Sequence, residues 1–216
     1  MGRPARFTET QILDATAGLV AEAGPGGATI ASICAVLGAP AGSIYHRFTS
    51  RDVLLGRLWL EKAALFQDNF VSALADPDAV AAGLQAALSL PRTARADFPA
   101  ARIMLLHRRE DFFADGWPAE LHVEARRLKQ QVDNALNQFA RRLFGRVSAT
   151  TLRATSFAVL DVSFAAVRRH VAANEPPPPI VDRLIETAYL AVINAERESL
   201  APTNPRARHR PKGDQQ

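Results

Sequence analysis

Three observations on this 216-residue sequence predict an all-α fold. Apolar residues recur at helical rather than alternating spacing along almost every segment. Start and stop signals for helices frame those segments. No stretch alternates over enough residues to build a sheet, and no fixed-period repeat divides the chain. With 48% of residues hydrophobic, a substantial core is available.

The elements follow in order. Thr8 and Gln11 fit a capping box, with Phe7 and Ile12 placed as the hydrophobic staple around it. From Ile12 an apolar face runs through Leu19 and Val20 until Gly24 stops the helix. Thr29 caps a second helix to about Leu37, where Gly38 supplies the left-handed residue that ends it. A third helix is expected over Pro40–Phe48. Ser50 caps a fourth, which carries Asp52 near its positive end and continues to about Ala75. Beyond "ADPDAV" the periodicity predicts helices near 78–90, 99–113, 118–144 and 149–171. The proline run in "NEPPPPI" breaks the pattern, and a final helix covers roughly 181–200. The resulting division is 1–50, a connecting helix over 51–77, a helical domain over 78–200, and a basic tail over 201–216.

Composition excludes several classes. The single cysteine, Cys34, leaves no internal disulfide and no cysteine-rich zinc site, and its apolar neighbours mark it as a small buried hydrophobe. No close His, Cys and carboxylate set suggests a metal, and no cofactor motif appears. The chain has no apolar run of about 20 residues, as a membrane span needs, and its first residues lack a secretory pattern, so a cytoplasmic protein is expected. A nucleophile–base pair, a phosphate-binding loop and a dinucleotide fingerprint are all missing, which argues against an enzyme.

The net charge of +4 is weak evidence for nucleic acid once divided. Arg206, Arg208, Arg210 and Lys212 against Asp214 give the Pro-rich tail +3. The first 57 residues carry only +1, from Arg3, Arg6, Arg47, Arg51 and Arg57 against Glu9, Asp14, Glu22 and Asp52.

The stronger signal is "TIASICAVLGAPAGSIYHRFTSRDVLL", Thr29–Leu55. Its second and third helices fit a helix-turn-helix: a short leading helix, a tight glycine turn, and a second helix whose leading end meets base edges. Ile33 and Leu37 form a seam on the first, and Ile44 and Phe48 anchor the second. Pro40, Ala41, Gly42 and Ser43 lack bulk at the leading end, while Tyr45, His46 and Arg47 flank the anchored face. Glycine inside a helix costs about 1 kcal/mol relative to alanine, a cost that makes sense where backbone must approach another surface closely. A pair of ordinary packed helices is the competing reading.

The same stretch resembles, without a gap, the DNA-binding segment of TetR/AcrR-type transcriptional regulators, and the likeness covers Phe7 to about Leu60. The resemblance implies that Thr29 and Tyr45 touch phosphates, and that Ala41, Gly42, Ser43 and His46 lie near bases or backbone in the groove. Three positions depart from the common pattern: Pro40 stands where serine is usual, Ala31 where a polar residue often contacts DNA, and Arg51 where lysine is common. Arg51 keeps the charge for a phosphate, and Arg3 and Arg6 form an arm suited to an adjacent minor groove.

For 78–200 the resemblance implies an effector-binding and dimerisation domain. Trp59, Phe66, Met104, His107, Phe112, Phe113, Trp117, Phe157 and Phe164 are candidates for a mainly apolar pocket, with core packing the competing role. Asp161, in "FAVLDVSFAAV", is the best polar candidate; it can meet a cationic ligand, pair with an arginine, or face solvent. His107 and His122 are ambiguous in the same way. The last two helices carry Ala154, Ala158, Ala165, Ala166, Ala188 and Ala191, which permit close approach across a two-fold axis or within one chain. The expected function is a regulator that binds a palindromic operator in double-stranded DNA as a homodimer and is released by a small, largely apolar effector. The alternatives are an effector-independent DNA binder and a helical enzyme.

Overall fold

The computed structural model describes residues 7–112 and 117–200; Arg3, Arg6, Phe113 and the basic tail lie outside them. The described residues are helical with no strand. Helix α1 (Glu9–Gly27) opens on the reciprocal Thr8–Gln11 capping box and breaks at Gly24, whose φ of 72° few other residues adopt. Pro25 then starts one further turn. Helix α2 (Ile30–Leu37) is capped by Thr29 and closed by left-handed Gly38. Its capping box uses Ser32 rather than a glutamate: Thr29 Oγ1 accepts from Ser32 N at 3.0 Å and Ser32 Oγ from Thr29 N at 2.9 Å.

Helix α3 (Ala41–Tyr45) is shorter than the expected 40–48, because Pro40 sits outside it with ψ at 147° and the chain turns tightly after Tyr45. Helix α4 (Arg51–Leu74) is capped by Ser50 and is 24 residues long. Helix α5 (Ala79–Ala96), capped by Asp78, runs through Pro91 and past the end expected near 90. Proline leaves the carbonyl four residues earlier without its donor, and Ser163 Oγ from a distant helix donates to that Ala87 oxygen at 2.7 Å. A neighbour repairs what the sequence breaks.

Helix α6 (Phe98–Leu106), capped by Asp97, stops at extended His107, so the expected 99–113 helix is α6 followed by a 3₁₀ turn over Arg109–Phe112. Helix α7 (Ala119–Phe144) ends at Gly145. Helices α8 (Ala149–Ser156) and α9 (Val162–Ala172) are joined by a π-type turn, Phe157–Asp161. Helix α10 (Ile180–Leu200) closes the fold.

Burial sorts these helices into three clusters. The first joins α1–α3 to the first half of α4, Ile103 of α6, Phe112, Trp117 and the start of α7. The second joins the end of α4, the start of α5, the far half of α7, the π-type turn and α10. The third joins α5, α6, α9 and the start of α10. The helix-turn-helix therefore shares a continuous core with α4, α6 and α7. Helix α6 presents Ile103 and Met104 to the first cluster, and Ala101 and Leu105 to the third.

Candidate nucleic-acid interface and ligand cavity

Helix α3 is held from one side and bare on the other. Ile44 is fully buried and Phe48 nearly so, packing with Ile12, Ile33 and Leu58. Tyr45, 51% exposed, stands on the opposite face with Ala41, Gly42 and His46, while Ser43 and Arg47 are half-buried. A Cβ at Gly42 meets nothing within 4 Å, so the folded chain itself gives no packing reason for glycine there. Pro40 and Thr29 are exposed on the same unit. Thr29 Oγ1, besides accepting from the α2 backbone, donates to Ser32 Oγ at 3.0 Å, and Ser32 Oγ donates to Gly27 O at 2.9 Å.

Arg51 has a role that its charge did not reveal. Its Nε donates to Ala28 O at 2.8 Å and its Nη2 to Pro25 O. The side chain braces the start of α4 against the α1–α2 connection. Arg57 likewise pairs with Glu124 of α7 at 3.0 Å. Of Arg47, Arg51 and Arg57, the described cations of this end, only Arg47 is not committed to such a contact.

The sequence-predicted pocket residues divide into three sets. Phe66, Asp161 and Phe164 come together at a cavity of about 300 Å³ between α4, α5, α7 and the α8–α9 segment. Trp59, Met104, Phe112 and Trp117 instead fill the junction beside the helix-turn-helix, with the Trp59 and Trp117 rings 5.6 Å apart. His107 belongs to that junction as well, its ring edge-on to Phe112 at 6.3 Å, and His122 stacks obliquely on Trp117 at 5.9 Å. Burial lowers the His107 pKa, with Asp111 opposing and Arg102 reinforcing the shift. Phe157 lies on the outer face of the π-type turn, 48% exposed.

Sequence reasoning missed most of the cavity wall. Phe70, one turn beyond Phe66 on α4, was within reach of the helical spacing. Leu90, Val132, Val159 and Leu160 carried no signal, since nothing in the chain says which apolar residues border empty space. The polar lining is Gln67, Ser89, Asp161 and Ser163. A wider groove of about 630 Å³ lies on the outer side of α4 and α5, bordered by Asn69, Arg92, Thr93 and Asp97. No group of His, Cys, Asp and Glu among the described residues is arranged to hold a metal ion. No described helix is long and apolar enough to cross a membrane.

Residues 12–58 match the bacterial regulatory proteins of the tetR family. No curated protein matches the chain in sequence. In fold it is similar to the fatty acid degradation regulator FadR of Bacillus halodurans (TM-score 0.64, 18% identity, 86% of this chain and 98% of that one). It is equally similar to FadR of Bacillus subtilis in complex with stearoyl-CoA (TM-score 0.66, 16% identity, covering 86% and 98%). A third such structure is the TetR-family regulator PfmR of Thermus thermophilus (TM-score 0.62, 16% identity, covering 85% and 97%).

Proposed function

We infer, from the match of residues 12–58 to the bacterial regulatory proteins of the tetR family, that this chain is a homodimeric repressor which binds a palindromic operator and is released by a small, largely apolar effector. The observation that carries the reading is Gly42: a helix-breaking residue with open space around it, on the bare face of α3, beside exposed Tyr45 and His46. Small residues there let α3 enter the major groove, while Tyr45 reaches phosphate oxygens and Thr29 holds the start of α2 beside it. Arg47 supplies a further phosphate contact, and Arg51 acts by holding α4 in place.

Two recognition helices related by a two-fold axis multiply the discrimination of one. Support for a dimer through α8–α10 comes from Phe157 and Leu184, large apolar side chains left exposed. Ala165 and Ala191 are exposed there too, whereas Ala158 is fully buried within the chain and belongs to its own core.

An effector acts only through its different affinity for two conformations. A contiguous set of links is suited to carry that difference. Arg168 of α9 donates from Nε to Leu105 O of α6 at 3.0 Å. From α6, Arg102 Nε donates to Ala21 O of α1 at 2.6 Å, and its Nη1 to Asn174 Oδ1 just past α9 at 2.6 Å. A shift of α9 around an occupied cavity is thereby transmitted through α6 to the helix that supports α2 and α3. The bound stearoyl-CoA of the Bacillus subtilis relative is support for an effector of apolar character in this fold.

The test is a gel-shift titration with the gene's own upstream DNA against a scrambled probe. Preference for the former by about 10³ or more is expected, since specific sites typically exceed non-specific ones by that margin. Equal affinity for both, dominated by salt, sinks the repressor reading and favours a sequence-indifferent DNA binder.

A further inference from the structure

The polar side chains around the 300 Å³ cavity are Gln67, Ser89, Asp161 and Ser163. Ser163 Oγ donates its hydrogen to Ala87 O at 2.7 Å, and Ser89 Oγ donates its own to Ala86 O at 2.7 Å. Each hydroxyl thus offers only lone pairs to the cavity. Gln67 Oε1 is buried with no hydrogen-bond partner, a state that carries a cost until a donor arrives. Asp161 is the single ionisable group of the lining, and no Lys, Arg or His accompanies it. It ends the π-type turn, a local irregularity that often marks functional positions in helices. Phe66, Phe70 and Phe164 add three phenyl rings, whose faces attract cations.

From this acceptor-rich lining we propose that the effector is a compact apolar cation, an arylalkyl or alkyl ammonium whose N–H groups meet Asp161 and Gln67 and whose hydrocarbon lies among the phenyl rings. The proposal rests on the reading of this cavity as the effector site and narrows it to one ligand class. A carboxylate-headed ligand of equal size finds no cation in the lining and meets the charge of Asp161 instead.

The experiment uses the full chain and three matched probes, 4-phenylbutylammonium, 4-phenylbutan-1-ol and 4-phenylbutyrate, titrated by calorimetry at neutral pH. The ammonium is expected to bind about tenfold more tightly than the alcohol, the scale of one hydrogen bond to a charged group, and the carboxylate more weakly than both. Asp161→Asn is expected to bring the ammonium within about twofold of the alcohol. Leu90→Trp, which fills the cavity, is expected to abolish binding of all three without lowering Tm. Equal binding of carboxylate and ammonium, or a preference that survives Asp161→Asn, overturns the ligand class and leaves the cavity reading standing. Failure of every probe to bind, or binding that is indifferent to Leu90→Trp, overturns both.

Discussion

At the scale of single residues, the fold separates side chains that serve the core from those that serve another molecule. Ile44 and Tyr45 are neighbours in sequence, yet one is fully buried and the other half exposed. Gly42 makes the sharper case, because replacing it isolates the two roles. Gly42→Ala is expected to raise folding stability by up to about 1 kcal/mol, since alanine is the better helix former and its Cβ meets no neighbour. The same variant is expected to weaken operator binding, so melting and gel-shift measurements should move in opposite directions. Tyr189 gives a residue-scale expectation in the core. Burial pushes its phenol up to about 12, aided by Asp78 and opposed by Arg197, and its hydroxyl donates to Val80 O at 2.9 Å. A folded value above the unfolded 10.0 means the contribution is complete below pH 10 and is lost as pH rises towards 12. Denaturant titrations should show a loss on the order of 2 kcal/mol across that window, and Tyr189→Phe should remove the dependence.

Elements depend on their neighbours more than local propensity suggests. Helix α5 survives Pro91 because Ser163 of α9 satisfies the freed Ala87 carbonyl. Ser163→Ala leaves that carbonyl buried and unpaired at this point, and is expected to cost about 1–3 kcal/mol in chemical denaturation. Helix α6 is the second case: its opposite faces belong to different clusters, and Arg102 ties it to α1 and to Asn174. Arg102→Ala is expected to keep DNA and ligand affinities near wild type while shrinking the effect of one on the other, which in coupled systems is typically about 5–150-fold. Gel shifts at saturating 4-phenylbutylammonium check this, and undiminished release would remove α6 from the route.

For the whole molecule, the proposed two-fold arrangement makes operator binding depend on a face far from α3. Leu184 is a large apolar side chain left 54% exposed on α10. Leu184→Asp is expected to convert a dimer to monomers in sedimentation and to lower operator affinity by about 100-fold or more, because each half-site contributes several kcal/mol. A monomeric wild-type chain that still binds the operator tightly would overturn this arrangement.

Capped helix starts and the helix-turn-helix are legible in the sequence because they depend on contacts within three or four residues: Thr8 with Gln11, Thr29 with the α2 backbone, Gly38 at its end. The sequence also marked Ile44 and Phe48 as anchors, since a core face repeats at helical spacing. The remaining features depend on partners far along the chain. Charge and location suggested Arg51 for a phosphate, and only the fold reveals its donation to the carbonyls of Pro25 and Ala28. Aromatic content made Trp59, Phe112 and Trp117 resemble pocket walls, but packing places them in the junction core. Asp161, Phe66 and Phe164 do meet at a cavity, and its other walls, Gln67 and the two committed serines, acquire meaning only from what lies opposite them. A void has no local code, because it is set by the residues that fail to meet.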